Sequence, residues 1–325
     1  MIGFFNRQST ANIGLLAIYA LVLKFRLFLS PLPPALSDSD SLIYRTLIRF
    51  LDLLHFPNWM YSIAVFLIVF IQAILFNRVF NLQKMFPRFT DLPAMAYLLV
   101  TSLLPQWGQF SAPLLINSVL IAFFYRVAAL NAYKETLAPI FNLGMLFGVS
   151  MLVYKPAVLL IFLFMASLLI IRPFYIREWL LGLMGILTPY YFAGVYLFLA
   201  GKFSWPALVP SVHLARPALP ASVMVNLGVL LLVILFLIGG VYLQQNLSKM
   251  LIQARKNWNL VLLQLVMAVL VVSVSGDTLF SGWILSALPL AAFLSAAFYF
   301  PRRILLPSTL HWILFIYSLY LNYWL

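Results

Sequence analysis

Apolar runs of roughly 20 residues recur along the whole chain, and this pattern constrains the fold more than any single motif. A run of that length is what an α-helix needs to cross the hydrocarbon core of a bilayer. Of the 325 residues, 65% are hydrophobic and 8% are charged, so no polar stretch can enclose a separate aqueous core. The sequence therefore predicts an all-α, polytopic integral membrane protein with a single transmembrane domain over residues 1–325.

Hydropathy predicts about eleven transmembrane helices, with one amphipathic interfacial helix after the first span. The intervals near residue 110 and near residue 155 are so short that either pair of spans is alternatively a broken helix or a re-entrant hairpin. The predicted spans fall near residues 12–30, 57–77, 92–108, 111–130, 138–154, 156–171, 179–200, 222–244, 259–275, 279–299 and 304–324.

Lysine and arginine residues divide unequally between the two sides of the predicted membrane. Thirteen lie in loops on the side of the N-terminus and seven lie in the other loops, which accounts for all 20. Because positive residues favour the cytoplasmic side, we expect the N-terminus inside and the C-terminus outside. Residues 31–56 and 201–221 are then outward loops.

The first outward segment, 31–56, reads PLPPALSDSDSLIYRTLIRFLDLLHF and holds three of the seven acidic residues. From Ser41 onward, polar side chains recur at intervals of four, four and three residues. This spacing predicts one narrow polar stripe on a helix that lies in the membrane interface over about residues 41–56. The stripe consists of Ser41, Arg45, Arg49 and Asp52.

Two interpretations of Asp38 and Asp40 stay open. In the first, the SDSD segment caps the interfacial helix, because Asp and Ser side chains accept hydrogen bonds from the first free N–H groups. In the second, the Asp-x-Asp pair acts as general base toward an acceptor hydroxyl, or binds a divalent cation such as Mg²⁺ or Mn²⁺. The pair alone does not decide between them.

Basic residues in the outward loops are candidate ligands for an anionic substrate. Lys155, between two tightly connected spans, either snorkels to the interface or meets an anionic ligand. His213 and Arg216 have the chemistry to grip a phosphate or diphosphate, although an ordinary headgroup-facing loop uses the same residues. With Arg45 on the polar stripe, these form the predicted substrate-binding set.

Composition excludes several other kinds of site. The chain has no cysteine, so thiol nucleophiles, disulfides and iron–sulfur clusters are excluded. Its three histidines are too few and too scattered for a histidine-rich iron centre. The basic residues behind the net charge of +13 are spread over inter-helix loops. Membrane lipid, and not nucleic acid, is therefore the expected partner.

Three features of the first half occur together: Asp38 and Asp40 after the first span, the amphipathic stretch 41–56, and a glycine-spaced helical pair with an outward lysine. That pair reads FNLGMLFGVSMLVYKPAVLLIFLF, residues 141–164. This layout resembles the GT-C class of polyprenyl-phosphate-dependent glycosyltransferases. Residues 111–191 also resemble a family of bacterial multi-span membrane proteins of unknown function.

The GT-C resemblance implies transfer of a sugar from a polyprenyl phosphate or diphosphate at the outer face of the bacterial inner membrane. It implies that Asp38 or Asp40 is base or metal ligand, and that Lys155 with Arg216 holds the lipid phosphate. Two other functions stay open. A non-catalytic envelope-assembly or scaffold protein suits the lack of a dense polar site, and a transporter or flippase suits proline-interrupted spans.

Overall fold

The computed structural model describes residues 2–130, 136–204, 222–275, 280–303 and 305–324. Within these ranges every regular element is an α-helix or a short 3-10 helix, which confirms the predicted all-α class. The α-helices are α1 (Ile2–Phe5), α2 (Thr10–Lys24), α3 (Arg26–Leu29), α4 (Leu42–Leu53), α5 (Asn58–Leu82), α6 (Leu92–Val100), α7 (Ala112–Ala129), α8 (Leu137–Val153), α9 (Leu160–Ile171), α10 (Ile176–Leu199), α11 (Val223–Leu247), α12 (Ile252–Ser275), α13 (Ala287–Tyr299) and α14 (Leu305–Trp324). The 3-10 helices are Pro105–Gly108, Lys155–Leu159 and Ser281–Ser286.

In the described part of the chain, six helical segments are long and apolar enough to cross a membrane. They are α5, α7, α10, α11, α12 and the combined segment Ser281–Tyr299. Three shorter apolar segments, Ala11–Lys24, Leu137–Val153 and Lys155–Ile171, lie where further spans were predicted. The lengths and composition indicate a multi-pass membrane protein, while the count of eleven spans stays a prediction.

The predicted span 92–108 is a broken helix. Helix α6 has nine residues, about 14 Å at the usual rise, and all of them are buried. Backbone carbonyls of the non-helical residues that follow α6 accept hydrogen bonds from other helices of the bundle. Backbone groups away from water need such partners. The Lys24 Nζ donates to the Thr101 carbonyl at 3.0 Å, and Ser318 and Asn322 both donate to the Ser102 carbonyl at 2.9 Å.

Glycines permit close contacts between helices. A Cβ added at Gly144 of α8 would lie 2.2 Å from the Gly182 carbonyl oxygen of α10, and one at Gly148 would lie 2.4 Å from the Ile186 carbonyl oxygen. A Cβ at Gly239 of α11 would lie 2.1 Å from the carbonyl oxygen of Phe293 in α13. Side chains at these positions would therefore force the helices apart.

A buried carboxylate joins the N-terminal segment to α5 and α6. Asp91 accepts hydrogen bonds from the side-chain amides of Asn12 and Asn77, both at 2.8 Å, and from the backbone N–H of Ser9 at 3.3 Å. Its own N–H donates to the Phe5 carbonyl at 2.8 Å. These three donors provide the hydrogen bonds that a carboxylate buried away from water requires. The sequence did not predict this cluster, because the uncharged amides of Asn12 and Asn77 follow no pattern that marks them as partners of Asp91.

Candidate functional site

A helix forms within the predicted range 41–56 as α4, Leu42–Leu53, while its position in the membrane interface stays a prediction. Its N-cap residue is Ser41, whose side chain makes no capping hydrogen bond. The Asp40 Oδ2 instead accepts the backbone N–H of Ser37 at 2.7 Å, which closes a turn before the helix. This hydrogen bond fixes the turn, and capping of the helix by the SDSD segment with Asp38 and Asp40 stays a prediction.

Helix α4 has the surface of an interfacial helix. Tyr44 and Ile48 are buried against the bundle. The exposed positions are Thr46, Arg49 and Asp52 among the polar residues, and Ile43, Phe50, Leu53 and Leu54 among the large apolar ones. A helix that covers the protein with one face and exposes both polar and apolar side chains suits the boundary between headgroups and hydrocarbon.

The turn that carries Asp38 and Asp40 is bound to the break between α8 and α9. Asp40 and Tyr154 form an isolated antiparallel bridge. On its two sides, the Ser41 N–H donates to the Val153 carbonyl at 3.0 Å and the Lys155 N–H donates to the Ser39 carbonyl at 2.9 Å. Backbone pairing therefore brings residues 39–41 and 153–155 together, although more than a hundred positions separate them.

Two cations converge on this turn. The Lys155 Nζ donates to the Asp38 carbonyl oxygen at 3.0 Å, and an Arg45 guanidinium nitrogen donates to the same oxygen at 3.3 Å and to the Ser37 carbonyl at 3.2 Å. The same guanidinium lies 3.8 Å from the Asp38 carboxylate. Because both cations share one acceptor, their charges lie close together. An anion placed between them would relieve that repulsion through charge-assisted hydrogen bonds.

The two aspartates have opposite environments. The Asp38 side chain is fully exposed, whereas Asp40 is 2% exposed. An exposed ion pair such as that of Asp38 with Arg45 contributes little. Of the predicted site residues, the structure therefore brings together Asp38, Asp40, Arg45 and Lys155. The other two, His213 and Arg216, lie outside the described residues, with most of the loop 201–221.

The described chain provides no preformed metal site. It contains no group of three His, Cys, Asp or Glu side chains that could hold a metal ion. Asp40 already accepts the Ser37 N–H, and Asp38 faces the Arg45 guanidinium. Mg²⁺ takes about six oxygen ligands, of which the protein usually supplies one or two carboxylates. The predicted divalent cation stays a prediction, and no chemical step is derived through it.

Tyr44 anchors α4 beneath the site. Its hydroxyl lies 2.9 Å from the Ala35 carbonyl oxygen and 3.0 Å from the Phe110 carbonyl oxygen, so the two carbonyls share its single proton. Burial, followed by the nearby Asp40 carboxylate and Tyr61, raises the pKa of this hydroxyl above its ordinary value. The group therefore stays protonated at physiological pH and remains a donor. It holds the proline-rich segment before Asp38 against the loop that precedes α7.

Replacing Tyr44 by Phe is expected to lower the free energy of unfolding by about 1–3 kcal/mol, because two carbonyls lose a buried donor. The measurement is chemical unfolding of the full chain in detergent. The matched control is Tyr323→Phe, which removes a hydroxyl that donates to the Val22 carbonyl at an exposed position. An equal loss in the free energy of unfolding of the two variants would show that the Tyr44 hydroxyl stabilises the fold no more than an exposed hydroxyl does.

An apolar crevice adjoins the site. It encloses about 370 Å³ between α11 and α12, whose side chains Val233 and Leu265 lie among its lining residues. Trp107, Phe280 and Trp283 line it as well, and among the described residues that line it Ser286 is the one polar residue. Such a surface suits a hydrocarbon chain and offers no polar path for a hydrophilic solute.

The crevice and the turn meet at the C-terminal end of α12. Ser39 donates a hydrogen bond from its hydroxyl to the carbonyl of Ser275, the last residue of α12. A Cβ added at Gly282, next to Trp283 of the crevice, would lie 3.1 Å from the Tyr154 hydroxyl. Phe280 has a φ of 60°, a left-handed backbone conformation that is strained for an aromatic residue. Strained conformations of this kind cluster at functional sites.

Comparisons with protein-family models, curated proteins and solved structures gave no match to this chain. The GT-C resemblance and the resemblance to a bacterial multi-span family therefore stay predictions. Sequence reasoning found its charged residues, but it missed Tyr44, Tyr154 and the aromatic residues of the crevice, which read as ordinary membrane packing.

Proposed function

We propose that this chain is a membrane glycosyltransferase that moves a sugar from a polyprenyl-phosphate carrier to an acceptor at the outer face of the bacterial inner membrane. The observation that supports this most is the shared contact of Lys155 and Arg45 with the Asp38 carbonyl. Two cations held together beside an apolar crevice match the two parts of such a donor, an anionic phosphate and a long hydrocarbon chain.

In the proposed mechanism the donor phosphate lies against Lys155 and Arg45, while its polyprenyl chain enters the crevice. The acceptor hydroxyl attacks the anomeric carbon of the sugar and loses its proton to the Asp40 carboxylate. The bond between that carbon and the phosphate oxygen breaks, and the electron pair leaves with the polyprenyl phosphate. The two cations stabilise the charge that develops on the leaving phosphate.

Asp40 suits the role of base better than Asp38 does. Its carboxylate accepts the Ser37 N–H and its backbone is held by the bridge to Tyr154, so its position does not have to be organised during the reaction. It also lies where water is scarce, which strengthens interactions with charge. Asp38, which is fully exposed, is assigned the accessory role of keeping Arg45 in place.

Transfer can be measured with the full chain in lipid nanodiscs. The donor is a polyprenyl phosphate that carries a radiolabelled hexose, and an envelope fraction supplies acceptors. Replacing Lys155 by Gln is expected to raise the KM for the donor by about tenfold or more, because a charge-assisted hydrogen bond is worth about 1.5–3 kcal/mol. The control is Lys202→Gln, an exposed lysine at the same end of the bundle, which should leave KM unchanged.

The outcomes separate the candidate functions. Movement of label to the acceptor supports a transferase, and an unchanged KM for Lys155→Gln would contradict the assignment of the phosphate site. Absence of transfer together with recovery of a stoichiometric protein partner in mild detergent would favour the scaffold function. Movement of the intact labelled lipid across the bilayer, without transfer, would favour a flippase.

A further inference from the structure

A second pocket lies at the other end of the helices from Asp40. It encloses about 550 Å³ where α11 ends and α14 begins, and its lining is largely polar. Helix α12 starts beside this pocket at Ile252 and reaches the outward site at Ser275. Its 24 residues span about 36 Å at 1.5 Å per residue, which places the pocket at the opposite membrane surface.

Three cationic side chains line this pocket, and no acidic side chain is among its lining residues in the part of the chain that the structure describes. The cations are Lys249, Arg302 and Arg303, and the polar residues beside them are Tyr242, Gln245 and Asn246. Within the described ranges, none of the three cations forms an ion pair. Their mutual repulsion in one concave site is offset only by an anionic occupant or by water and salt.

Two other basic residues at this end have structural partners. Lys256 donates to the Ile171 carbonyl at the end of α9, at 3.2 Å, and Arg172 lies 3.4 Å from the buried Glu178 carboxylate. A general excess of positive charge on the cytoplasmic side would not by itself gather unpaired cations around one cavity. The pocket is therefore more specific than an orientation signal.

Exposed apolar side chains adjoin the cations. Leu305, which lines the pocket, is 74% exposed, and Leu251, just beyond Lys249 in the chain, is 62% exposed. Cations beside exposed leucines match a phosphate whose acyl chains lie against the protein, because basic pockets between transmembrane helices bind anionic headgroups in this way. We infer that this pocket binds the phosphate headgroup of an anionic phospholipid. The inference is independent of the proposed transferase activity.

The test uses the full chain purified in a neutral detergent, with bound lipid counted by native mass spectrometry. The probes are phosphatidylglycerol, phosphatidylcholine and inorganic phosphate. Replacing Arg302 and Arg303 together by Gln is expected to weaken phosphatidylglycerol binding by about tenfold or more. The conservative pair Arg302→Lys with Arg303→Lys, which keeps both charges, should retain most of the binding.

The matched control is Arg78→Gln with Arg255→Gln, which removes two exposed arginines at the same end of the bundle but outside the pocket. Binding that falls equally in this control would assign the effect to overall charge and overturn the site. Phosphatidylcholine that binds as tightly as phosphatidylglycerol would exclude a headgroup site for anions. Inorganic phosphate that competes at the same concentration as the lipid would replace the phospholipid by a soluble anion.

Discussion

Replacing Asp40 by Asn is expected to lower kcat for sugar transfer by about 10²- to 10⁴-fold, the usual contribution of a positioned general base. Asparagine keeps an oxygen that can accept the Ser37 N–H, so the turn and its bridge to Tyr154 should persist. What the variant lacks is the capacity to take a proton from the acceptor hydroxyl. The KM for the donor should change little, since Lys155 and Arg45 are untouched.

The paired variant Asp38→Asn makes this prediction specific. Asp38 differs from Asp40 by two positions and carries the same charge, yet it is fully exposed and its ion pair with Arg45 spans 3.8 Å. We expect a loss of transfer of less than about tenfold, as for other exposed pairs. The measurement compares kcat for both variants at equal amounts of folded protein. Equal losses at the two positions, or full activity of Asp40→Asn, would contradict the role of Asp40.

The helices of this fold were predictable because their signal is local. Each apolar run gives rise to a helix near its predicted position, and α4 follows the polar stripe from Ser41 to Asp52. Helix breaks were harder, because hydropathy averages over a window and does not register irregular backbone that the bundle satisfies. After α6, side-chain donors from Lys24, Ser318 and Asn322 hydrogen-bond the carbonyls that the break leaves without helical partners. Each donor is distant in sequence from the carbonyl it contacts.

The site was predictable in its parts but not in its assembly. Spacing singled out Asp38, Asp40 and Lys155, yet which of them meet depends on a backbone bridge between residues 39–41 and 153–155. A single sequence does not indicate which distant backbone segments pair. The opposite burial of Asp38 and Asp40 was hidden for the same reason, since an Asp-x-Asp turn has the same pattern whichever carboxylate faces inward.

Two adjacent glycines in α11 should respond in opposite ways to the same substitution. Replacing Gly239 by Ala places a methyl carbon 2.1 Å from the Phe293 carbonyl oxygen and 2.6 Å from its carbonyl carbon. Backbone atoms cannot rotate away as a side chain can, so α11 and α13 must separate. Overpacking of this kind costs about 1–3 kcal/mol and occasionally more, and we expect a loss of about 3 kcal/mol in the free energy of unfolding.

The Gly240→Ala variant is the control, because a Cβ at Gly240 meets nothing within 4 Å. Alanine is favoured over glycine in a helix by up to about 1 kcal/mol, so this variant should be neutral or slightly more stable. Chemical unfolding of both variants in the same detergent measures the difference. The two variants have the same composition and hydropathy and lie in the same helix, so a large difference in stability between them can arise only from the contact with α13. Equal stabilities would mean that α11 does not pack against α13 at Gly239.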